Sequence, residues 1–422
     1  MPASIISRLS FPGLNRVGAV SALMALGLSL SGCKSWLDGF QSTLSVDGPV
    51  ARSQRQLFYT TCYVTFAIFL VVGGVLAYAT IRFKDRGHTG AEPPPQSHGN
   101  PLVEIGLILA SVLLLVIIAV PTLRAIWFAY DVPIGEKGQA YEVVATGSQW
   151  WWKFEYPNAP VKLAPTGEMP LATANELVIP AGRPVHIELR TADVIHSFWV
   201  PKLAGKVDMI PNRANHIWLQ ADQPGYFYGQ CAQFCGDSHA VMRFRVIALE
   251  EKEFAGWLAK QTQPARSVAA PAVSAPAITR SHVVFAVFRQ NQFGFGPEWE
   301  SDGPTPLLDL WRAQQPPDKD EDPALIARGR ALFQAKTCVS CHTVRGQEGV
   351  GIIGPDLTHV GARTTIAGGL LENTPEQLAR WIGHPEQVKP GNKMYVTGYV
   401  PNHVTLDPDE VTALVAYLRS LK

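Results

Sequence analysis

Two uncharged apolar runs constrain this chain more than any other feature, at 57–81 and 105–123. The first has 25 residues and the second has 19. At about 1.5 Å of rise per residue, a helix of either length crosses a hydrocarbon core of about 30 Å. Between the runs lie three basic residues, Arg82, Lys84 and Arg86, which favour a cytoplasmic turn. The runs therefore predict a two-helix transmembrane hairpin, and a hairpin buried in a soluble core is the alternative.

The first 32 residues are typical of a lipoprotein signal peptide. Arg8 and Arg16 precede an apolar run at 17–30 that is short for a membrane span. The tetrapeptide 30–33, Leu-Ser-Gly-Cys, then matches a lipoprotein processing site. Cleavage before Cys33 would leave a lipid-modified N-terminus outside the cytoplasm, and an uncleaved signal anchor is the alternative.

The hairpin is assigned to 50–130, and the segments that follow it have different patterns. From 131 to 260, short runs alternate apolar and polar residues, as at 185–190 and 242–246, which is the period of half-buried strands. This predicts a small antiparallel sandwich or barrel. Residues 261–320 begin as a linker rich in Ala, Pro, Ser and Thr, and continue into a segment to which no function is assigned.

From 321 to 422 the pattern is helical. Asp322, Thr374 and Asp407 each precede a proline, as expected of residues that cap the start of a helix. The last helix has one apolar stripe, formed by Val411, Leu414, Val415 and Leu418. The segment therefore predicts a compact all-α domain.

The charge balance excludes one class of function, and the cysteines favour another. The formal net charge is +1, from 36 basic and 35 acidic side chains, so no strong field attracts nucleic acid. Nearly all of the six cysteines fall into spacings that bind redox metals or lipid, and only Cys62 is left over.

A copper centre is predicted by the spacing C-x3-C-x3-H-x2-M. It places Cys231, Cys235, His239 and Met242 together, and these thiolate, imidazole and thioether ligands suit copper. Two cysteines offer two bridging sulfurs, which can hold two copper ions that share an electron. One imidazole is still missing, and His196 is the best candidate. A structural zinc site and a disulfide within the pair are the alternatives.

A covalent haem is predicted by C-x2-C-H at Cys338, Cys341 and His342. The thiols would bond the vinyl groups, and the histidine would bind the iron. If the sixth ligand is a thioether, it must be Met394, because no other methionine follows residue 242. Such ligation raises the potential of a haem that passes electrons toward oxygen. The alternatives are a second histidine, from His359, His384 or His403.

Residues 196–242 resemble the CuA domain of cytochrome c oxidase subunit II, a cupredoxin. The matching stretches are 149–152, 196–201 and 228–236, and the resemblance covers roughly 50–250. It implies as copper ligands His196, Cys231, Cys235, His239, Met242 and the backbone carbonyl of Gln233. The family usually has Glu at the last of these positions, where its carboxylate helps to bind magnesium at the contact with subunit I. Gln keeps the carbonyl and lacks that carboxylate.

The same resemblance implies two further roles. In the family, the tryptophan that matches Trp150 is where electrons enter the copper centre, and the glutamate that matches Glu104 lies at the mouth of a proton path into subunit I. Residues 325–422 resemble the cytochrome c domain that is fused to subunit II in some bacterial oxidases, through 354–359 and 388–394. Tyr395 stands where that family usually has proline after the methionine ligand.

The whole chain is therefore expected to be multidomain: a two-helix transmembrane hairpin, an all-β cupredoxin-like Greek-key barrel and an all-α class I cytochrome c domain. The expected function is electron transfer in a bacterial cytochrome c oxidase, by haem c and dinuclear copper. Subunit I, other oxidase subunits, membrane lipid and a cytochrome c or bc-complex donor are the expected partners. The expected location is the inner membrane, with the C-terminal domains outside. The alternatives are a CuA-bearing nitric oxide reductase and a copper carrier or assembly factor.

Overall fold

The computed structural model describes residues 39–84, 99–163, 167–268, 307–347 and 351–422. The predicted signal peptide, its Cys33 and most of the segment 261–320 lie outside the described residues.

Two long helices form the hairpin, α1 (Pro49–Arg82) and α2 (Pro101–Tyr130). Each begins with proline at its first position, where no backbone N–H is needed, and Asn100 caps α2 by accepting from the Leu102 N–H. Both helices are long and apolar enough to cross a membrane, and the most apolar window of each has no buried residue. A helix in a soluble core would be buried, so the predicted hairpin is confirmed over the described residues.

The start of α1 belongs to the next domain. Val50 and Ala51 are buried, and the Ala51 N–H donates to the Leu203 carbonyl oxygen at 3.2 Å. A side chain at Gly48 would meet the Gln220 carbonyl oxygen at 2.4 Å, so only glycine allows this approach. The helix is thus held by the β domain before it enters the apolar layer.

The β domain is a sandwich of two five-stranded sheets, in the orders β3-β2-β1-β5-β8 and β4-β10-β9-β6-β7. Its strands are β1 (Tyr141–Ser148), β2 (Trp151–Leu163), β3 (Gly167–Ala174), β4 (Glu176–Pro180), β5 (Val185–Thr191), β6 (His196–Trp199), β7 (Lys206–Met209), β8 (Asn215–Leu219), β9 (Gly225–Cys231) and β10 (Arg243–Leu249). Pairs β1–β5 and β4–β10 are parallel and the others antiparallel. Helix α3 (Glu251–Gln261) follows. The predicted cupredoxin-like fold is confirmed, but the two parallel pairs show that the prediction of purely antiparallel sheets was wrong.

An aromatic cluster fills the space between the sheets beneath the predicted copper ligands. Trp152, Phe198 and Phe244 are fully buried, with ring centroids 4.8–5.8 Å apart. Such contacts add about 0.5–1.5 kcal/mol per pair beyond the burial of apolar area. They join β2, β6 and β10, so this cluster holds together the strands that carry or adjoin the metal ligands.

Strand β10 differs from its prediction as a half-buried strand, because all seven of its residues are buried. The backbone of Arg243 and the side chain of Arg245 contact the C-terminal domain. The Arg243 N–H donates to the Gly368 carbonyl oxygen at 2.9 Å, and Arg245 Nη2 donates to that of Gly369 at 3.1 Å. Alternation in sequence cannot distinguish a wet face from one that a second domain covers.

The C-terminal domain has the helices α5 (Pro323–Ala335), α6 (Pro375–Gly383), α7 (Pro385–Val388) and α8 (Pro408–Ser420). The side chains of Asp322, Thr374 and Asp407 cap α5, α6 and α8, as predicted. The four predicted stripe residues of the last helix are buried. A short hairpin, β11 (Thr365–Ile366) and β12 (Leu371–Glu372), adds to the helical fold.

Helix α4 (Leu307–Gln314) lies in the part of 261–320 to which no role was assigned. Leu308 and Trp311 are buried in the core of the β domain. Gln314 and Gln315 donate from their side chains to the carbonyl oxygens of Gly361 and Ala362 in the C-terminal domain. The helix therefore packs on one domain and bonds to the other, a role that its short apolar pattern did not indicate.

Gly329→Ala is expected to destabilise the C-terminal domain. A Cβ at Gly329 in α5 would stand 2.0 Å from the Ala413 carbonyl oxygen in α8, and such overpacking costs about 1–3 kcal/mol. The matched control is Gly256→Ala, on the exposed face of α3 with nothing within 4 Å, where alanine gains up to about 1 kcal/mol. Calorimetry of the full chain should show a lower unfolding temperature for Gly329→Ala and no decrease for Gly256→Ala. Equal transitions would contradict the close α5–α8 crossing.

Candidate copper and haem sites

The predicted copper ligands converge from separate elements into one cluster, in which His196, Cys231, Cys235 and Met242 are buried. His196 begins β6, Cys231 ends β9, and Cys235, His239 and Met242 follow in the loop to β10. The two cysteine Sγ atoms are 3.8 Å apart. Nδ1 of His196 lies 3.8 Å from the first sulfur, and Nδ1 of His239 lies 3.5 Å from the second.

Two weaker donors complete this set. The Met242 thioether sulfur lies 3.8 Å from the Cys235 sulfur, and the Gln233 carbonyl oxygen lies 3.2 Å from the Cys231 sulfur. The six predicted donors thus form one cluster of two thiols, two imidazoles, a thioether and a carbonyl. These groups suit copper, and their number exceeds the four ligands of a structural zinc site. Both cysteines are free thiols, so the disulfide alternative is absent from the structure.

Electrostatics favours the metal-binding form of one of the two thiols, because their shared hydrogen bond lowers the pKa of Cys231 and raises that of Cys235. The hydrogen bond that Cys235 shares with Cys231 lowers the pKa of Cys231 well below its ordinary value. A thiolate, and not a thiol, is the form that binds metal. The pair therefore presents at least one anionic sulfur to an incoming cation.

Glycine makes room for one ligand. A Cβ at Gly147 of β1 would lie 2.9 Å from the Cδ2 atom of His196, so a side chain there would push the imidazole away. This close approach between sheets was missed from sequence, where one glycine in a strand gives no such signal.

Asp193 orients the same histidine and was also missed, although it stands three residues before it. Its Oδ1 lies 2.9 Å from His196 Nε2, which leaves Nδ1 toward the sulfurs. Its Oδ2 accepts from the Gln149 N–H at 2.9 Å and from Lys393 Nζ at 2.7 Å. Burial opposes ionisation, but these hydrogen bonds outweigh it and hold the pKa of Asp193 below its usual range. A carboxylate behind an imidazole is a common support of metal ligands.

The haem motif lies in a tight turn after α5. Thr337 has φ of +62°, Cys338–Ser340 form a 3-10 turn, and Cys341 and His342 follow. His342 Nδ1 lies 2.8 Å from the Pro355 carbonyl oxygen, which leaves Nε2 for iron. Burial lowers the pKa of His342 and favours the neutral imidazole that binds metal.

Two glycines lie against this turn. Added Cβ atoms at Gly351 and Gly354 would stand 2.4 Å from the Cys341 carbonyl carbon and 2.6 Å from His342 Cε1. The loop can therefore pack directly against the attachment residues.

One cleft contains the haem motif and its predicted sixth ligand. Cys338, Cys341, His342 and Met394 all line it, with apolar walls from Leu378, Ile382, Leu414 and Leu418. None of the alternative histidines lines it. Met394 begins a π-helix, Met394–Tyr399, a rare element that often marks a functional site. An apolar cleft with two thiols, an imidazole and a thioether fits a c-type haem with Met394 as sixth ligand.

Trp150 connects the two sites. Its indole Nε1 donates to the Cys235 carbonyl oxygen at 3.0 Å, its side chain lines the haem cleft, and it is 7% exposed. A Cβ at Gly391 in the C-terminal domain would meet its ring at 3.1 Å. The residue thus touches the copper loop and the haem cleft at once.

Lys389 joins the two domains at this point, a role that was not predicted from the sequence. Its ammonium is buried and donates to the carbonyl oxygens of Trp150 at 2.5 Å and Ala367 at 3.0 Å. Burial lowers the pKa of Lys389 to about 7. A lysine beside a Pro-Gly turn usually suggests a solvated surface, so the sequence does not indicate that Lys389 is buried at a domain junction.

Glu104 is far from both sites. It lies in the first turn of α2, 26 residues before Tyr130, which is about 39 Å along the helix axis. It is exposed at the end of the hairpin opposite the β domain. The structure therefore separates Glu104 from the copper and haem clusters.

These features define a membrane-anchored electron-transfer protein with a cupredoxin domain and a c-type cytochrome domain. Residues 141–249 match the family model "Cytochrome C oxidase subunit II, periplasmic domain", and residues 326–422 match "Cytochrome c". The chain is 33% identical to cytochrome c oxidase subunit 2 of Alkalihalophilus pseudofirmus, over 95% of this chain and 96% of the relative. It is 30% identical to the Bacillus subtilis subunit, over the same shares.

Among solved structures, the periplasmic domain of subunit II of cytochrome oxidase of Bradyrhizobium japonicum is 35% identical, over 29% of this chain and 92% of that one, with a TM-score of 0.25. Because these relatives match over nearly their whole length, the chain belongs to the cytochrome c oxidase subunit II family. It is thus a subunit of a haem–copper oxidoreductase, with a copper-binding domain, a haem domain and two membrane-spanning helices.

Cys231→Ser is expected to remove the dinuclear copper centre. One remaining sulfur bridge cannot hold both ions in this geometry, so the mixed-valence electron-spin pattern should disappear, and the copper content of the complex should fall by one or two ions per covalently attached haem. The matched control is Cys62→Ser, a half-exposed thiol in α1 outside the cluster. Metal analysis and electron spin resonance of the assembled complex provide the check. Wild-type copper content per covalently attached haem in both variants would contradict the bridging role.

Met394→Ala is expected to leave the haem attached and to lower its reduction potential, because loss of the thioether opens the sixth position. The reduced haem should then bind carbon monoxide. Met169→Ala, in β3 and remote from the cleft, is the control. Redox titration of the haem band gives the measurement, and a wild-type potential in the first variant would assign the sixth position to another residue.

Proposed function

We propose that this chain carries electrons in two stages, from an external donor to its cytochrome domain and from there to its copper domain and subunit I. When bound, the haem and the copper pair supply the one-electron redox chemistry, and oxygen is reduced to water in subunit I with proton pumping. The residues of this chain hold the two centres in a fixed relation and exclude water between them. Its place is the inner membrane of a bacterium, with both redox domains on the outer side.

The contact of Trp150 with both sites carries this proposal. The route from the haem cleft to Cys235 needs only the indole and one hydrogen bond to the cysteine carbonyl. Gln149 supports it, since its side-chain amide also donates to that carbonyl, at 2.9 Å. A short path through packed and hydrogen-bonded atoms favours fast electron transfer between the two centres.

Burial of Trp150 supports docking of the donor on the cytochrome domain. With 7% of its surface exposed, it offers no face to another protein. A cytochrome c or bc-complex donor would therefore dock on the cytochrome domain and deliver its electron there. The tryptophan then serves as an internal relay, which differs from the family role expected from sequence, where electrons enter at this residue from outside.

The other side of the copper loop is open and supports a contact with subunit I. Gln233 is exposed, and the neighbouring Phe234 is 75% exposed, although both lie between two buried cysteines. A large exposed ring at this point is suited to burial in a partner. Gln233 has no carboxylate to offer there, so any magnesium at the contact must rely on other groups.

Glu104 fits a separate role in proton uptake. Its position at the hairpin end of α2 lies on the cytoplasmic side under the predicted topology. Ionisable groups at membrane depth often mark proton routes. We keep the proposal that it stands at the mouth of a proton path shared with subunit I.

The relay is tested with Trp150→Phe and Trp150→Leu in the assembled complex. Phe keeps an aromatic ring but cannot donate to Cys235, and Leu removes both, so electron transfer from haem to copper should slow in that order. Rapid photoreduction of the haem, followed by the absorbance of each centre, measures the rate. Trp199→Phe, in β6 and outside the cleft, should leave it unchanged.

An unchanged rate of electron transfer in both Trp150 variants would contradict the relay role of Trp150 without contradicting the oxidase function. The reaction is tested separately, with reduced cytochrome c and the purified wild-type complex. We expect oxygen to be consumed. Consumption of nitric oxide in its place would favour the reductase alternative.

A further inference from the structure

A second cluster of metal-ligating side chains lies where α2 meets the β sandwich. It consists of Asp131, directly after α2, His186 of β5 and His216 of β8. One ring nitrogen from each histidine and one carboxylate oxygen all lie within 4.8 Å of one another. None of these residues belongs to the copper loop or lines the haem cleft.

Strand register brings the histidines to one outer face. In the β1–β5 pairing Glu142 stands opposite His186, and in the β5–β8 pairing Glu188 stands opposite His216. The residues between them, such as Val143 and Ile187, point into the core. Period 2 thus places the polar side chains together on the side that faces the membrane helix.

The end of α2 is fixed against this face. Trp218 Nε1 donates to the Phe128 carbonyl oxygen at 2.9 Å, and the rings of Tyr130 and His216 meet edge to face at 4.9 Å. Asp131 is therefore held beside the histidines by packing, and the three ligands come from three distant parts of the chain.

Each imidazole is oriented from behind. His186 Nδ1 lies 2.7 Å from Glu142 Oε2, and His216 Nε2 lies 3.0 Å from the Tyr130 carbonyl oxygen. These bonds leave the opposite nitrogen of each ring for a ligand. Metal-binding histidines in proteins are held in this way by a carboxylate or a backbone carbonyl.

The charges of the neighbourhood also favour a cation. Asp131 and Glu142 bring two negative charges, against one positive charge from Lys137, whose Nζ lies 2.5 Å from Asp131 Oδ2. The hydrogen bond from Lys137 lowers the pKa of Asp131, so the carboxylate is ionised. Oδ1 accepts only from the Val132 N–H among the described contacts and keeps a lone pair for a metal.

We propose that Asp131, His186 and His216 form a zinc-binding site that ties the outer end of α2 to β5 and β8. Two imidazoles and a carboxylate, with a fourth position for water, are a common zinc set, whereas calcium and magnesium prefer oxygen ligands throughout. Zinc needs bonds of about 2.0–2.2 Å, so the side chains must draw together. Small rotations of these partly exposed side chains can supply the movement, since 27% of the His186 side chain and 34% of that of Asp131 are exposed.

The test uses the assembled, copper- and haem-loaded complex, washed with a weak chelator and titrated with Zn²⁺. We expect wild type to bind one more zinc per complex than the His186→Gln/His216→Gln variant, with two imidazoles in its zinc X-ray absorption spectrum. Glu142→Gln should weaken this zinc about 10- to 100-fold, because it removes only the support of His186. Asp131→Asn, which keeps an acceptor for the Val132 N–H, should weaken it as well.

His403→Asn is the matched control, an exposed histidine with φ of +49° that asparagine tolerates. It should bind zinc as wild type does. Copper and haem content report folding in every variant. Equal zinc binding by wild type and the double variant, or a zinc spectrum without imidazole, would overturn the site. If the double variant fails to assemble, the comparison of Asp131→Asn with wild type decides, and equal affinity would again overturn it.

Discussion

The relative position of the two redox domains depends on the hydrogen bonds of the buried Lys389 side chain. A lysine removed from water is costly unless its protons find acceptors, and a buried charge needs partners. Here the acceptors are the carbonyls of Trp150, in the β domain, and Ala367, in the C-terminal domain. Separating the domains would leave the lysine without the partner that helps to compensate its burial. The same bond fixes the backbone of the residue that spans both sites.

Other buried polar groups at this junction follow the same logic. Glu176 of β4 is buried, and its Oε1 accepts from the N–H groups of Thr364 and Thr365 at 2.7 and 3.0 Å. Arg345, near the haem turn, donates to the Gln261 and Thr262 carbonyl oxygens at the end of α3. Each group finds its partner across the boundary, so the domains behave as one body, although the chain between them suggested a loose tether.

The sequence was most informative where chemistry requires a fixed spacing. The copper loop runs over twelve residues, and the haem motif over five, so Cys231, Cys235, His239 and Met242 could be assigned from local pattern alone. Helix caps such as Asp407 were predictable for the same reason. Contacts between residues far apart in the sequence were not predictable. Examples are the contacts of Asp193 with Lys393, of Gly147 with His196 and of Lys389 with Trp150, which are 49 to 239 positions apart. The prediction that β10 is half-buried was wrong, because alternation of apolar and polar residues does not show whether another domain covers the outer face of a strand.

The length of α1 has a mechanical consequence. It contains 34 residues, about 51 Å, of which a bilayer core of about 30 Å takes little more than half. Its first turn is built into the β domain at Val50 and Ala51, with no loop between the domain and the helix. The helix is therefore a rigid connection that sets both the height and the tilt of the copper loop above the lipid. Thermal undulation of the membrane would then move the β domain and α1 together, so that the height of the domain above the lipid would stay constant.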